Sequence, residues 1–159
     1  MAELTYRDAV AAGIAQEMER DPNVVFLGED VAHAGGVFKA TVGLLDQFGP
    51  KRVRDCPISE QAILGAAMGA AMTGLKPIAE IMFSDFFAVC FDYIANEFPK
   101  SRYMSNGQLK CPLVVRTANG FEDGGVFVQP GNYSYYLEKK LEREQRLNCL
   151  LYTSPSPRD

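Results

Sequence analysis

Three short apolar runs, separated by stretches with helical spacing, constrain this chain more than any other feature of its sequence. Val24-Val25-Phe26-Leu27, Pro77-Ile78-Ala79-Glu80-Ile81-Met82 and Pro112-Leu113-Val114-Val115-Arg116 are short, nearly continuous and rich in branched residues. Runs of that kind suit strands buried on both faces, as in a parallel sheet. Before the first run, Tyr6, Val10, Ile14 and Met18 recur every four residues, with Thr5 and Asp8 at the start and Asp21-Pro22 as the stop. That spacing predicts an amphipathic helix. Ser59 is a good N-cap for a second helix running to Gly74, and Phe83-Ser84-Asp85-Phe86 reads as a turn into a third through Phe87, Cys90, Ile94 and Glu97. The segment from Ala32 to Gly49 is loop-like around Gly35-Gly36, with a short helix near Leu44 to Phe48. The alternation predicts an α/β fold, a parallel sheet with helices on both faces.

Composition narrows the function classes. The chain has 159 residues, 47% of them hydrophobic, which suffices for the core of one domain. A formal net charge of -4, without clustered lysines or arginines, offers nothing to nucleic acid or to an anionic membrane. No apolar run reaches spanning length, and Met1-Ala2-Glu3-Leu4 enters the helical pattern directly, without a leader. The expectation is therefore a cytoplasmic protein, or the mature form of a mitochondrial matrix protein. Cys56, Cys90, Cys111 and Cys149 form no Cys-x-x-Cys pair, and Cys90 and Cys111 read as buried free thiols of a reducing compartment.

Glu60 is the sharpest candidate for chemistry, since Pro57-Ile58-Ser59-Glu60 puts a carboxylate in the first turn of a helix of small residues. The helix dipole alone favours an acid there. Ala62, Ala66 and Ala70 are spaced by four, as are Gly65 and Gly69, so another helix of the same chain or of a partner can approach closely. Glu29 follows the first strand, where α/β sheets carry ligand-facing loops.

Taken in order, Gly28-Glu29-Asp30-Val31-Ala32, Gly35-Gly36-Val37-Phe38-Lys39, Phe48-Gly49-Pro50, Pro57-Ile58-Ser59-Glu60, Gly69-Ala70-Ala71-Met72, Glu80-Ile81-Met82-Phe83-Ser84-Asp85-Phe86 and Arg102-Tyr103-Met104 resemble one family. It is the beta subunit of thiamine-diphosphate-dependent 2-oxo acid dehydrogenases, of the pyruvate, branched-chain and acetoin types. The resemblance covers roughly residues 4 to 120 and implies a transketolase-like pyrimidine-binding domain. It implies that Glu60 hydrogen-bonds the ring nitrogen of the aminopyrimidine in a partly desolvated site, that Met82 and Phe86 pack on that ring, and that Glu29 lies near the cofactor. It implies thiamine diphosphate shared with an alpha subunit, which holds the magnesium, and a heterotetramer with a second beta subunit across a two-fold axis. A lipoyl-bearing acyltransferase would receive the acyl group. Leu113 matches a potassium-binding carbonyl of some members, but no metal is expected here because the other ligands would lie outside this chain.

The resemblance fades after Arg116-Thr117-Ala118-Asn119-Gly120, where the family continues into a glycine-rich loop and a histidine. His33, the only histidine, reads as a surface loop residue. Three segments are expected: 1–120, a partial pyrimidine-binding domain incomplete at its C-terminal end; 121–148, unassigned and open to a frame shift; and 149–159. That last run, Cys149 to Asp159, resembles the in-frame translation of a transposase-type sequencing-library adapter and is expected to be foreign to the natural protein. The expected function is the decarboxylating component of a 2-oxo acid dehydrogenase complex, the isolated chain being inactive. The alternatives are an acetoin dehydrogenase beta subunit, another transketolase-like enzyme fragment, or a non-catalytic oligomerisation fragment.

Overall fold

A computed structural model describes residues 4–118 of the chain. The chain divides into units Met1–Gly120 and Phe121–Asp159. The readings made on residues 121–148 and 149–159, Cys149 included, lie outside the described residues.

Helix α1 (Tyr6–Arg20) begins where Thr5 Oγ1 accepts from the Asp8 amide at 3.2 Å. It leads to strand β1 (Val24–Gly28), helix α2 (Leu44–Phe48), strand β2 (Val53–Asp55), helix α3 (Glu60–Met72) and strand β3 (Lys76–Phe83). A 3-10 turn (Ser84–Phe86), helix α4 (Phe87–Asp92), a π-helical turn (Tyr93–Glu97), helix α5 (Phe98–Met104) and strand β4 (Val114–Ala118) follow. The four strands are parallel, in the order β2-β1-β3-β4.

The strand side chains alternate between two cores, as their period of two requires. Val24, Phe26 and Val53 pack with Ile14, Met18 and Leu44 from α1 and α2. Leu27, Ala79 and Ile81 pack with Ile63, Leu64, Ala67 and Cys90 from α3 and α4. Helices thus cover both faces, as the apolar runs predicted. Phe26, Met18 and Leu64 are fully buried, and each such side chain stabilises the fold by about 1.5–3 kcal/mol. Arg52 ties the layers together at one end: its guanidinium donates to the carbonyls of Met18, Asp21 and Val24 and lies 5.1 Å from the Phe48 ring centroid.

Several boundaries differ from the sequence reading. Strand β2 was not anticipated, because only Val53 of its three residues is buried and one interior residue sets no period. Strand β4 starts at Val114, where pairing with Ile78 begins, rather than at Pro112. Helix α3 ends at Met72, short of Gly74. The helix expected after Ser84 is broken where Cys90 takes φ -118° and ψ 17°. Tyr6 is exposed, so the inner face of α1 is carried by Ile14 and Met18. Cys90 is buried as expected, whereas Cys111 is only half-buried. No helix among the described residues is long and apolar enough to cross a membrane.

Candidate functional site

The strand order reverses direction between β1 and β3: the connection after β1 leads to one side and β3 lies on the other. In open parallel sheets a crevice forms at the carboxyl ends of the two strands flanking such a point. The residues delivered there are Gly28, Glu29 and Asp30 after β1, and Met82 and Phe83 with the turn through Phe86 after β3. Helix α3 also starts at this end, because it follows β2 directly.

Glu60 is the first residue of α3 and is half-buried. Ser59 occupies the cap position as anticipated, but its side chain makes no capping bond; its carbonyl accepts from Ile63 at 3.0 Å. Glu29 is buried, and burial, followed by the negative charges of Glu60 and then Asp30, pushes its carboxyl above the usual carboxylate range. Two predicted residues, one from each connection, are therefore brought within electrostatic reach of each other. Of the two, Glu29 is the more deeply buried.

The backbone is shaped around this pair. A Cβ on Gly28 would stand 2.9 Å from the Glu80 Cβ and 3.2 Å from the Glu80 carbonyl oxygen, so glycine alone lets β1 end this close to β3. Asp30 takes a left-handed φ of 54°, and its carbonyl accepts from the Gly36 amide at 2.8 Å. Asp55, at the end of β2, accepts from the amides of Ala32 (2.6 Å) and His33 (3.2 Å) and from His33 Nδ1 (2.8 Å). His33 is thus an exposed loop residue holding the post-β1 loop to β2.

Met82 sits at an irregularity in β3: Ile81 pairs with Thr117 and Phe83 with Ala118, leaving Met82 as the extra residue of a bulge. Bulges re-aim side chains at the rims of sheets. Phe86 is 37% exposed and meets Phe83 edge-on at 5.6 Å; Phe83 in turn meets Phe38 edge-on at 5.6 Å. Phe83 and Phe38 were not singled out from sequence as wall residues, although both stand inside motifs that carry the resemblance. Neighbouring them on β3, Glu80 is buried and paired with Arg116 across the β3–β4 ladder. Burial raises its carboxyl more than Arg116 lowers it. A groove of about 440 Å³ lined by Met68, Met72, Met104 and Leu109 lies at the far end of α3, away from these residues. Among the described residues, no group of three or more His, Cys, Asp or Glu side chains could hold a metal ion.

The family described as transketolase, pyrimidine binding domain, matches residues 2–138. The chain belongs to that family. The match runs past Gly120 into the residues left unassigned from sequence. This pyrimidine-binding domain is similar to the 2-oxoisovalerate dehydrogenase subunit beta of Bacillus subtilis, 50% identical over 126 residues, covering 79% of this chain and 38% of that protein. It is 49% identical over 118 residues to the pyruvate dehydrogenase E1 component subunit beta of Rickettsia conorii, with 74% and 36% covered. It is 44% identical to the acetoin:2,6-dichlorophenolindophenol oxidoreductase subunit beta of Bacillus subtilis, with 74% and 38% covered. The chain spans little more than a third of the length of these relatives. The sequence resemblance to beta subunits of all three kinds is met by relatives of those names. Among solved structures, a split gene transketolase described as an inactive beta4 tetramer shares the fold, with a TM-score of 0.52 at 15% identity over 83% of this chain and 57% of that one.

Proposed function

We propose that this chain is the pyrimidine-binding part of the beta subunit of a thiamine-diphosphate-dependent 2-oxo acid dehydrogenase, and that Glu60 meets the ring nitrogen of the aminopyrimidine. The observation that carries the proposal is the placement of Glu60 at the head of α3, beside the buried Glu29, in the crevice between β1 and β3. The relatives named for pyruvate, 2-oxoisovalerate and acetoin substrates support it. Acetoin is the second substrate reading, favoured by the last of these.

The residues present fit one end of such a cofactor. Glu60 offers a carboxyl at a helix N-terminus, and Met82 and Phe86, extended by Phe83 and Phe38, offer an apolar wall. When bound, thiamine diphosphate supplies a nucleophilic thiazolium carbon and an electron sink for decarboxylation. Glu60 holds and shares a proton at the pyrimidine ring nitrogen, which is general acid–base work. Glu29 lies beside it, its carboxyl raised by burial and then by the charge of Glu60, so that adding negative charge to this crevice is disfavoured. Met82 and Phe86 exclude water from that proton.

The diphosphate and its magnesium belong, in this reading, to an alpha subunit, and the acyl group passes to a lipoyl-bearing acyltransferase. A second beta subunit completes the heterotetramer. The parent protein works in the cytoplasm or in a mitochondrial matrix; relatives in Arabidopsis thaliana and Saccharomyces cerevisiae are named as mitochondrial. Isothermal titration with thiamine diphosphate and magnesium tests the reading, with and without a cognate alpha subunit. Binding heat with the alpha subunit is expected; no heat in either arm contradicts it.

A further inference from the structure

The small residues of α3 do not share one cause. A Cβ on Gly65 would stand 2.7 Å from Tyr93 Oη and 3.2 Å from Tyr93 Cζ, whereas a Cβ on Gly69 would meet nothing within 4 Å. Gly65 therefore serves packing inside this chain, and Gly69 faces open space. Tyr93 opens the π-helical turn that joins α4 to α5, an interruption of the helical ladder that re-aims the side chains around it. Its ring is half-buried against the core of Leu64, Ile63 and Cys90, and Phe98 packs on it at 5.8 Å.

We propose that Tyr93 is a positioning residue: its phenol sets how closely α3 approaches the helical layer of α4 and α5, and thereby where Glu60 stands relative to Glu29. A tyrosine ring turns about only two side-chain torsions, and Phe98 restricts it, so it acts as a spacer of fixed length. Glu60 lies on the same helix as Gly65, about 7.5 Å along its axis at 1.5 Å per residue. A helix moves as a rigid rod over that distance, so a displacement at Gly65 reaches Glu60. The functional significance of this spacer rests on the reading of Glu60 given above, but its geometry can be tested without any cofactor.

The test is an NMR titration of the Glu29 carboxyl in the full chain, since Glu29 senses the charge of Glu60. Glu60→Gln calibrates the probe by removing that charge, and the Glu29 midpoint falls. Gly65→Ala is expected to move the midpoint away from the wild-type value, and adding Tyr93→Phe, which removes the 2.7 Å clash and leaves only the 3.2 Å approach to Cζ, is expected to bring it most of the way back. Gly69→Ala is expected to titrate as wild type. An unmoved midpoint in Gly65→Ala overturns the proposal, as does failure of Tyr93→Phe to bring it back. If Gly65→Ala alone does not fold, the double variant decides: titration near the wild-type midpoint supports the spacer, and failure to fold or to titrate there overturns it. Failure of the thiamine diphosphate reading would show in the calorimetry and leave these titrations unchanged.

Discussion

Glu29, buried at the end of β1, and Glu60, at the head of α3, lie close enough that the charge of Glu60 helps hold the Glu29 carboxyl above its usual range. Neither residue has any reason from sequence neighbourhood to meet the other. They converge because β1 and the α3 that follows β2 both deliver their ligand-facing ends to the same edge of a parallel sheet. A like-charged pair in a partly dry crevice costs stability and is therefore a feature that function can explain.

That cost sets a pH dependence. The Glu29 carboxyl is raised in the folded state, so its favourable contribution is full below the unfolded carboxylate range and is lost as pH rises through the raised value. Glu29→Gln is expected to be more stable than wild type at pH 7, with the difference shrinking as pH falls into the ordinary carboxylate range. Urea denaturation at a series of pH values measures this; an equal difference at every pH contradicts it.

Gly28→Ala is expected to destabilise the chain by about 1–3 kcal/mol. The new methyl group would lie 2.9 Å from both the Glu80 Cβ and Val31 Cγ1, and 3.2 Å from a backbone oxygen that cannot swing aside. Thermal denaturation reads the loss, and an unchanged midpoint would mean that β1 and β3 separate at no cost.

Arg116→Met removes the cation that pairs with the buried Glu80. The expected loss is about 3–5 kcal/mol at neutral pH, the range for breaking a buried pair from one side. Because the Glu80 carboxyl is raised, the deficit should shrink as pH falls and the acid is neutralised. Adding Glu80→Gln should recover most of the stability at pH 7. Denaturation of the single and double variants checks this, and a double variant as weak as the single would place the loss in packing.

Much of this fold was legible because β1 and β3 are apolar on both faces, and the start of α3 because Ser59-Glu60 precedes a run of small residues. Strand β2 was not legible, since Val53 alone of its residues is buried. The bulge at Met82 depends on which residues of β4 pair with Ile81 and Phe83, a relation between distant segments. Phe38 reaches Phe83 only because the loop after β1 turns back through left-handed backbone at Gly35, Gly36 and Lys39. Glu60 was singled out through its motif, but the burial of Glu29 beside it is a property of strand order.

The most direct test concerns the proton at Glu60. In the complex assembled with a cognate alpha subunit and loaded with thiamine diphosphate and magnesium, the exchange rate of the thiazolium C2 proton is measured for wild type and Glu60→Gln. The variant is expected to bind cofactor yet exchange about 10²–10⁴-fold more slowly, the range for loss of a general acid–base group. Exchange at the wild-type rate in Glu60→Gln, with cofactor bound, would contradict the role assigned to Glu60.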